Sequence, residues 1–136
     1  MLKPNVLRPP TEWRDPRHRQ GLAGELAAAR YLVSRGWKIA AHRFRLGHHD
    51  IDLVARRGDL TAFVEVKARR STSFGSGLEA VGWQKQAVIA TVARSWISRY
   101  GRPGERYRFD LIVVRWPSGE TFPHVIHVED AWRVGA

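Results

Sequence analysis

The chain has 136 residues, 43% of them apolar, which suits one domain with a true core and leaves no room for two. It holds no cysteine, which excludes disulfide staples and thiolate metal sites, and no apolar run of about 18 residues, which excludes a membrane-spanning helix. Lys and Arg number 23 against 13 Asp and Glu, a net charge of +10 that attracts polyanions, nucleic acid foremost.

The first twenty residues carry five basic and two acidic side chains, so +7 of the charge belongs to the remainder of the chain. The competing account of that charge is a cationic surface serving solubility alone. A chain without cysteines, and without the apolar stretch of a secretory leader, is expected in the cytoplasm. Nineteen of the basic residues are Arg, so the four lysines, Lys3, Lys38, Lys67 and Lys85, stand out. Lys is a compact point charge with a tunable pKa, unlike Arg.

In chain order, residues 1–16 contain Pro4, Pro9, Pro10 and Pro16 and read as a basic, flexible arm. A first helix is expected over residues 17–35, with Leu22, Leu26, Ala29 and Val33 at helical spacing and Leu32 beside them. Gly36 stops it, and Glu25 falls on the border of its apolar stripe. Three strands follow, at residues 37–45, 50–57 and 61–68. The Arg57-Gly58-Asp59 turn makes the last two an antiparallel hairpin.

Residues 69–77 are basic and rich in Ser and Gly, a mobile loop. A second helix over 78–100 presents Val81, Val88, Ile89, Val92 and Trp96, with Lys85 pointing the same way. The Leu111-Ile112-Val113-Val114 run in a strand at 107–115 calls for burial on both faces. A short strand at 124–128 completes the order αβββαββ, with a tail at 129–136. The fold class is α/β: a mixed sheet flanked by helices, in a domain of residues 17–128.

The chemistry concentrates on the hairpin. Side chains alternate along a strand, so Phe63, Glu65 and Lys67 share a face, the latter two about 7 Å apart along the strand. Asp50, Asp52 and Val54 are expected to share a face of the preceding strand. If the hairpin sets Asp52 beside Glu65, two carboxylates repel unless a cation joins them. Mg²⁺ takes one or two carboxylates and completes its shell with water and phosphate, and the Val66 carbonyl is a further candidate ligand. Such an ion lowers the pKa of bound water and neutralises charge on a phosphate, while Lys67 would orient the water or stabilise the transition state. The bland alternative is an acid pair on a wet sheet face with Lys67 as a surface partner, an arrangement worth little.

Gly24-Glu25, Tyr31-Leu32, Gly36-Trp37, Asp50-Ile51-Asp52-Leu53-Val54, Phe63-Val64-Glu65-Val66-Lys67-Ala68-Arg69 and Phe74-Gly75 occur in one order with compatible gaps. As a set they resemble the bacterial YraN-type family of predicted endonucleases, within the PD-(D/E)XK, or restriction-endonuclease-like, superfamily that also includes archaeal Holliday-junction resolvases. The resemblance spans roughly residues 17–115. It implies a restriction-endonuclease-like sheet. It also implies Asp52 as the motif's acid, Glu65 and Lys67 as its (D/E)-x-K, and Glu25 as a helix glutamate joining the site. Lys85, or Gln84 beside it, matches a polar position on the following helix. The namesake proline is Ile51 here, and His49-Asp50 replaces the usual Gly-Glu, so Asp50 keeps an acid with shorter reach.

Several residues retain two readings. Glu25 either joins the site or pairs with an arginine. Lys85 and Gln84 begin a helix, where a cation opposes the macrodipole, so they either face an anion such as DNA phosphate or are ordinary surface residues. Arg69, Arg70 and Ser71 leave the catalytic strand as a candidate clamp on a DNA backbone. His48, His49 and Asp50 lack further spaced ligands, which disfavours Zn²⁺. His124 and His127 show no visible partner, and Asp110 at the start of a buried strand reads as a pairing residue. Trp37 and Trp96 suit the core, while Trp83, Trp116 and Trp132 are candidates for stacking on bases.

The leading expectation is an endonuclease using Mg²⁺, or Mn²⁺ in its place, to hydrolyse phosphodiester bonds in branched or structured DNA. Cutting two strands would suit a homodimer. The competing expectations are a nucleic-acid-binding accessory protein that keeps the fold without cutting, and an interaction scaffold.

Overall fold

A computed structural model of the chain describes residues 19–70, 81–116 and 122–134. The elements run α1 (Arg19–Ser34), β1 (Lys38–Leu46), β2 (His49–Arg57), β3 (Leu60–Arg70), α2 (Trp83–Tyr100), β4 (Arg106–Trp116) and β5 (His124–Trp132). The architecture is the expected αβββαββ, a five-stranded mixed sheet of the restriction-endonuclease-like kind. The arm at 1–16 lies outside the described residues, as do 71–80, which hold most of the expected loop and the start of the expected second helix.

The strands lie in chain order, β1-β2-β3-β4-β5, and every pairing is antiparallel except β3 with β4. A parallel pair needs a long crossover, and α2 lies within it. The helices take opposite faces. Ala28, Ala29 and Leu32 of α1 pack with Leu53, Ala55, Ala62, Val64, Ile112 and Val114. Ile89, Val92, Ala93 and Trp96 of α2 pack with Phe44, Ile51, Val54, Phe63, Leu111 and Val113. Leu111 to Val114 are all buried, as a strand covered on both sides must be. Among the described residues no helix is long and apolar enough to cross a membrane.

Three expectations change. The stripe of α1 is turned by about a residue: Glu25, Ala28, Ala29 and Leu32 face inward, and Val33 is 54% exposed. Glu25 therefore sits in the buried stripe and not on its border. The turn has a steric cause, because Gly24 is pressed so close to β3 that a Cβ there would lie 2.8 Å from the Ala68 Cβ. Second, β5 continues to Trp132, past the expected end at Val128. Third, Trp132 is buried and stacks on Phe109 with ring centroids 5.3 Å apart, so it is a core residue and offers no face to a base.

Candidate functional site

The hairpin does bring Asp52 and Glu65 together, but by a break in the sheet and not by regular alternation. The β2–β3 ladder runs from Arg57↔Leu60 to Leu53↔Val64 and stops there. β2 stays paired with β1 as far as Leu46↔His49. The strands thus part where the carboxylates lie. The side-chain phase also inverts at this point: Ile51 and Val54 pack under α2, whereas Leu53 packs under α1. Strict alternation would have put Ile51 and Leu53 on one side. β1 inverts with it, since His42 meets α1 while Phe44 meets α2, and Arg43 between them has φ of 53°. That left-handed conformation costs a non-glycine residue free energy, and such strain gathers at functional sites.

Freed from the ladder, Asp52 Oδ2 accepts the Val66 backbone N–H at 2.7 Å, and the Asp52 N–H reaches Glu65 Oε2 at 3.4 Å. The N–H and C=O of one strand residue point toward the same neighbour, so the Val66 carbonyl also turns to the Asp52 side. Two carboxylates and a carbonyl accordingly border one gap. Burial, the adjacent Glu65 charge and the more distant Glu25 charge push the Asp52 carboxyl well above the usual range. A divalent cation is the chemistry that relieves such a pair. Among the described residues no three His, Asp or Glu side chains gather as a metal cage.

One lysine borders the pair, and a second follows Glu65 along β3. Lys67 follows Glu65 by two residues and is partly buried. Lys85, in the first turn of α2, sets its Nζ 3.6 Å from Glu65 Oε1 while its side chain stays 66% exposed. Gln84 and Lys85 line a cleft of about 450 Å³ with His48, His49, Asp50, Val88 and Ile89. The His48-His49-Asp50 group thus faces the helix start. Asp50 itself lies 4.0 Å from Arg45. Arg69 is exposed beyond Lys67, Arg70 closes β3, and Ser71 lies outside the described residues.

Glu25 does not complete a three-acid set. Its Oε1 accepts from His42 Nε2 at 2.6 Å and Arg43 Nε at 2.8 Å, and its Oε2 accepts from Arg43 Nη2 at 2.9 Å. Burial raises its pKa, but these donors win and hold it below the usual range. Glu25 is the anchor of Arg43, the residue at which β1 inverts. His42 and Arg43 escaped the sequence reading. Their signal was present, because two adjacent polar residues interrupt the alternation of Ala41 and Phe44.

A second buried carboxylate stands on the α1 face of β4. Asp110 accepts from Arg108 Nε at 2.7 Å, His127 Nε2 at 2.7 Å and the Asp130 backbone N–H at 3.0 Å. Burial opposes its ionisation, but those donors hold its pKa down. His127 therefore has a partner, contrary to expectation, and Asp110 pairs as expected. With its oxygens so engaged, this cluster is a clamp between β4 and β5.

The uncharacterised protein family UPF0102 matches residues 24–114 of the chain. A UPF0102 protein of Mesorhizobium japonicum is 42% identical over 129 residues, covering 90% of this chain and 94% of that relative. One from Rhodococcus jostii is 40% identical over 112 residues, covering 82% and 94%. One from Bordetella avium is 31% identical over 137 residues, covering 97% and 91%. The matched segment opens at Gly24-Glu25 and takes in the parted hairpin with both carboxylates, as well as Lys67 and Lys85. The chain belongs to UPF0102, the YraN family.

Proposed function

We propose that this protein is a divalent-metal-dependent endonuclease that hydrolyses phosphodiester bonds in DNA, with branched or structured DNA as its substrate class. The observation that carries the reading is the parted hairpin. There a half-buried Asp52 with a raised pKa stands against Glu65, its carboxylate held by the Val66 N–H, and Lys85 lies alongside. Clustered buried carboxylates are costly to keep, and a site that binds a cation gives them a use.

Asp52, Glu65 and the Val66 carbonyl would hold Mg²⁺, or Mn²⁺ in its place, which supplies an acidified water and neutralises phosphate charge. The Val66 N–H fixes the Asp52 carboxylate, so its second oxygen is left to face the gap. Lys67 orients the attacking water and stabilises the added negative charge as the phosphorus becomes five-coordinate. Lys85 draws the Glu65 carboxylate toward α2 and offers a cation to the phosphate backbone in the cleft beside it. Glu25 acts through Arg43 by holding the strand inversion that aims Asp52. The excess of basic residues supplies the sequence-independent attraction to DNA.

A second reading, nucleic-acid binding without cutting, draws on Lys85. An ammonium 3.6 Å from Glu65 partly satisfies the charge that a metal would otherwise meet. One experiment separates the two. Supercoiled, forked and four-way DNA are incubated with the protein in Mg²⁺, Mn²⁺ and EDTA, beside Asp52→Ala and Glu65→Ala. Metal-dependent nicking lost in both variants supports the nuclease. Equal DNA binding by all three proteins with no cutting in any metal rejects it in favour of the second reading.

A further inference from the structure

We propose that the end of the sheet opposite the carboxylates is a second nucleic-acid contact, a basic pocket that grips the phosphate backbone. The pocket holds about 410 Å³ and is lined by Lys38, Arg56, Arg57 and Arg102, with no acidic side chain in its wall. Arg57 lies five residues along β2 from Asp52, a separation of roughly 17 Å. One rigid strand therefore joins the two regions.

The charge here is not balanced internally. Glu105 lies beneath the pocket and is shared by two guanidinium groups, with Arg56 Nε at 2.9 Å and Arg102 Nη2 at 3.0 Å. Among the described residues neither Lys38 nor Arg57 pairs with a carboxylate. Arg35, exposed beside them, sets its guanidinium 4.5 Å over the Tyr31 ring and adds another cation. A neighbouring recess lined by Arg106, Arg108 and Arg133 differs in kind. Each of those arginines meets an acid: Asp59 at 2.8 Å, Asp110 at 2.7 Å and Asp130 at 2.8 Å. Only the first pocket keeps a surplus that an outside anion would neutralise.

Its donors are also held in place beforehand. The Arg57 guanidinium lies 4.4 Å over the Trp37 ring and donates to the Arg35 carbonyl at 3.3 Å. Arg56 donates to the Tyr100 carbonyl at 2.6 Å. Fixed guanidinium forks match phosphate oxygens and lose little further entropy on binding. Repeated phosphates, set at regular intervals along a strand, fit a pocket on the same rigid domain as a phosphodiester site better than a lone anion does.

The inference rests on the nucleic-acid reading above and not on cutting, so it is tested in EDTA. Anisotropy titrations of labelled duplex and four-way DNA are run across a salt series for the wild type, Lys38→Gln and Lys38→Gln/Arg57→Gln. The slope of log affinity against log salt should become shallower by about 1 for the single variant and about 2 for the double. Affinity for the double variant should fall about tenfold or more near 0.1 M salt. Lys38 is exposed, so the single variant keeps the test valid if the loss of Arg57 from Trp37 weakens the fold. Slopes equal to that of the wild type, or a wild type that does not bind DNA, overturn the proposal. Failure of the nuclease reading shows separately, as absent metal-dependent nicking by a protein that still binds DNA in EDTA.

Discussion

Replacing Asp52 by Asn removes one of two adjacent charges while leaving a side-chain oxygen for the Val66 N–H. The variant should be more stable than the wild type when metal is absent. At a neighbouring-strand separation of about 5 Å and an effective dielectric near 20, two carboxylates repel by roughly 3 kcal/mol. Lys85 offsets part of this from its place beside Glu65, and Asp52 escapes another part by holding its proton. About 1–2 kcal/mol should remain, a rise in Tm of roughly 3–6 °C for a domain of this size. The pH dependence has a definite sign. The folded-state pKa of Asp52 lies above its unfolded value, so the unfolded chain ionises first and stability falls as pH rises through that interval. The advantage of Asp52→Asn is therefore absent in acid, grows as pH increases, and levels off once Asp52 is ionised in the folded protein. Urea unfolding of both proteins in EDTA, from about pH 5 to about pH 9, measures it. Added Mg²⁺ should then stabilise the wild type more than the variant. A variant less stable than the wild type at the alkaline end, or a difference that ignores pH, refutes the account of a strained acid pair.

Two further outcomes follow from the buried carboxylates. The side chain of Glu105 is only 1% exposed, and although burial opposes its ionisation, donors from Thr61, Arg56, Arg102 and Tyr107 bring its pKa down to about 2. Its stabilisation is complete above the unfolded carboxylate range near 4.5 and disappears as pH falls toward 2. Acid titration of unfolding should show about 1–2 kcal/mol lost in that window after allowance for solvent screening, and Glu105→Gln should flatten it. An unchanged acid limb in that variant would contradict the assignment. Glu25→Gln leaves Arg43 and His42 beside a neutral group and should cost about 2–4 kcal/mol in chemical denaturation. If Glu25 works by holding Arg43, Mg²⁺ affinity measured by calorimetry should also weaken, whereas a purely structural role predicts lower stability with unaltered metal binding.

Much of the fold was readable along the chain. Helical spacing in the stretches 17–35 and 78–100, within which the helices Arg19–Ser34 and Trp83–Tyr100 form, the Arg57-Gly58-Asp59 turn and the apolar run at 111–114 each report a local or nearest-neighbour preference. The meeting of Asp52 and Glu65 was legible for the same reason, since a tight hairpin puts its two strands side by side. Other features depended on contacts between distant segments. The rotation of α1 is set by Gly24 against Ala68, and the burial of Trp132 by Phe109 on β4. The partner of His127 is Asp110, seventeen residues away, and no periodicity connects them.

The sequence by itself determined the element order, the basic charge and the hairpin that carries the acids. These follow from composition and from short-range spacing. Tertiary structure alone decided that β2 pairs with β3 only from Leu53 onward, that the side-chain phase inverts at Arg43 and Asp52, and that Glu25 binds Arg43. It also decided which cations meet an acid among the described residues. Alternation is a property of a continuous ladder; where packing from both faces pulls two strands apart, side-chain direction is set by the competing contacts and no longer by position in the chain.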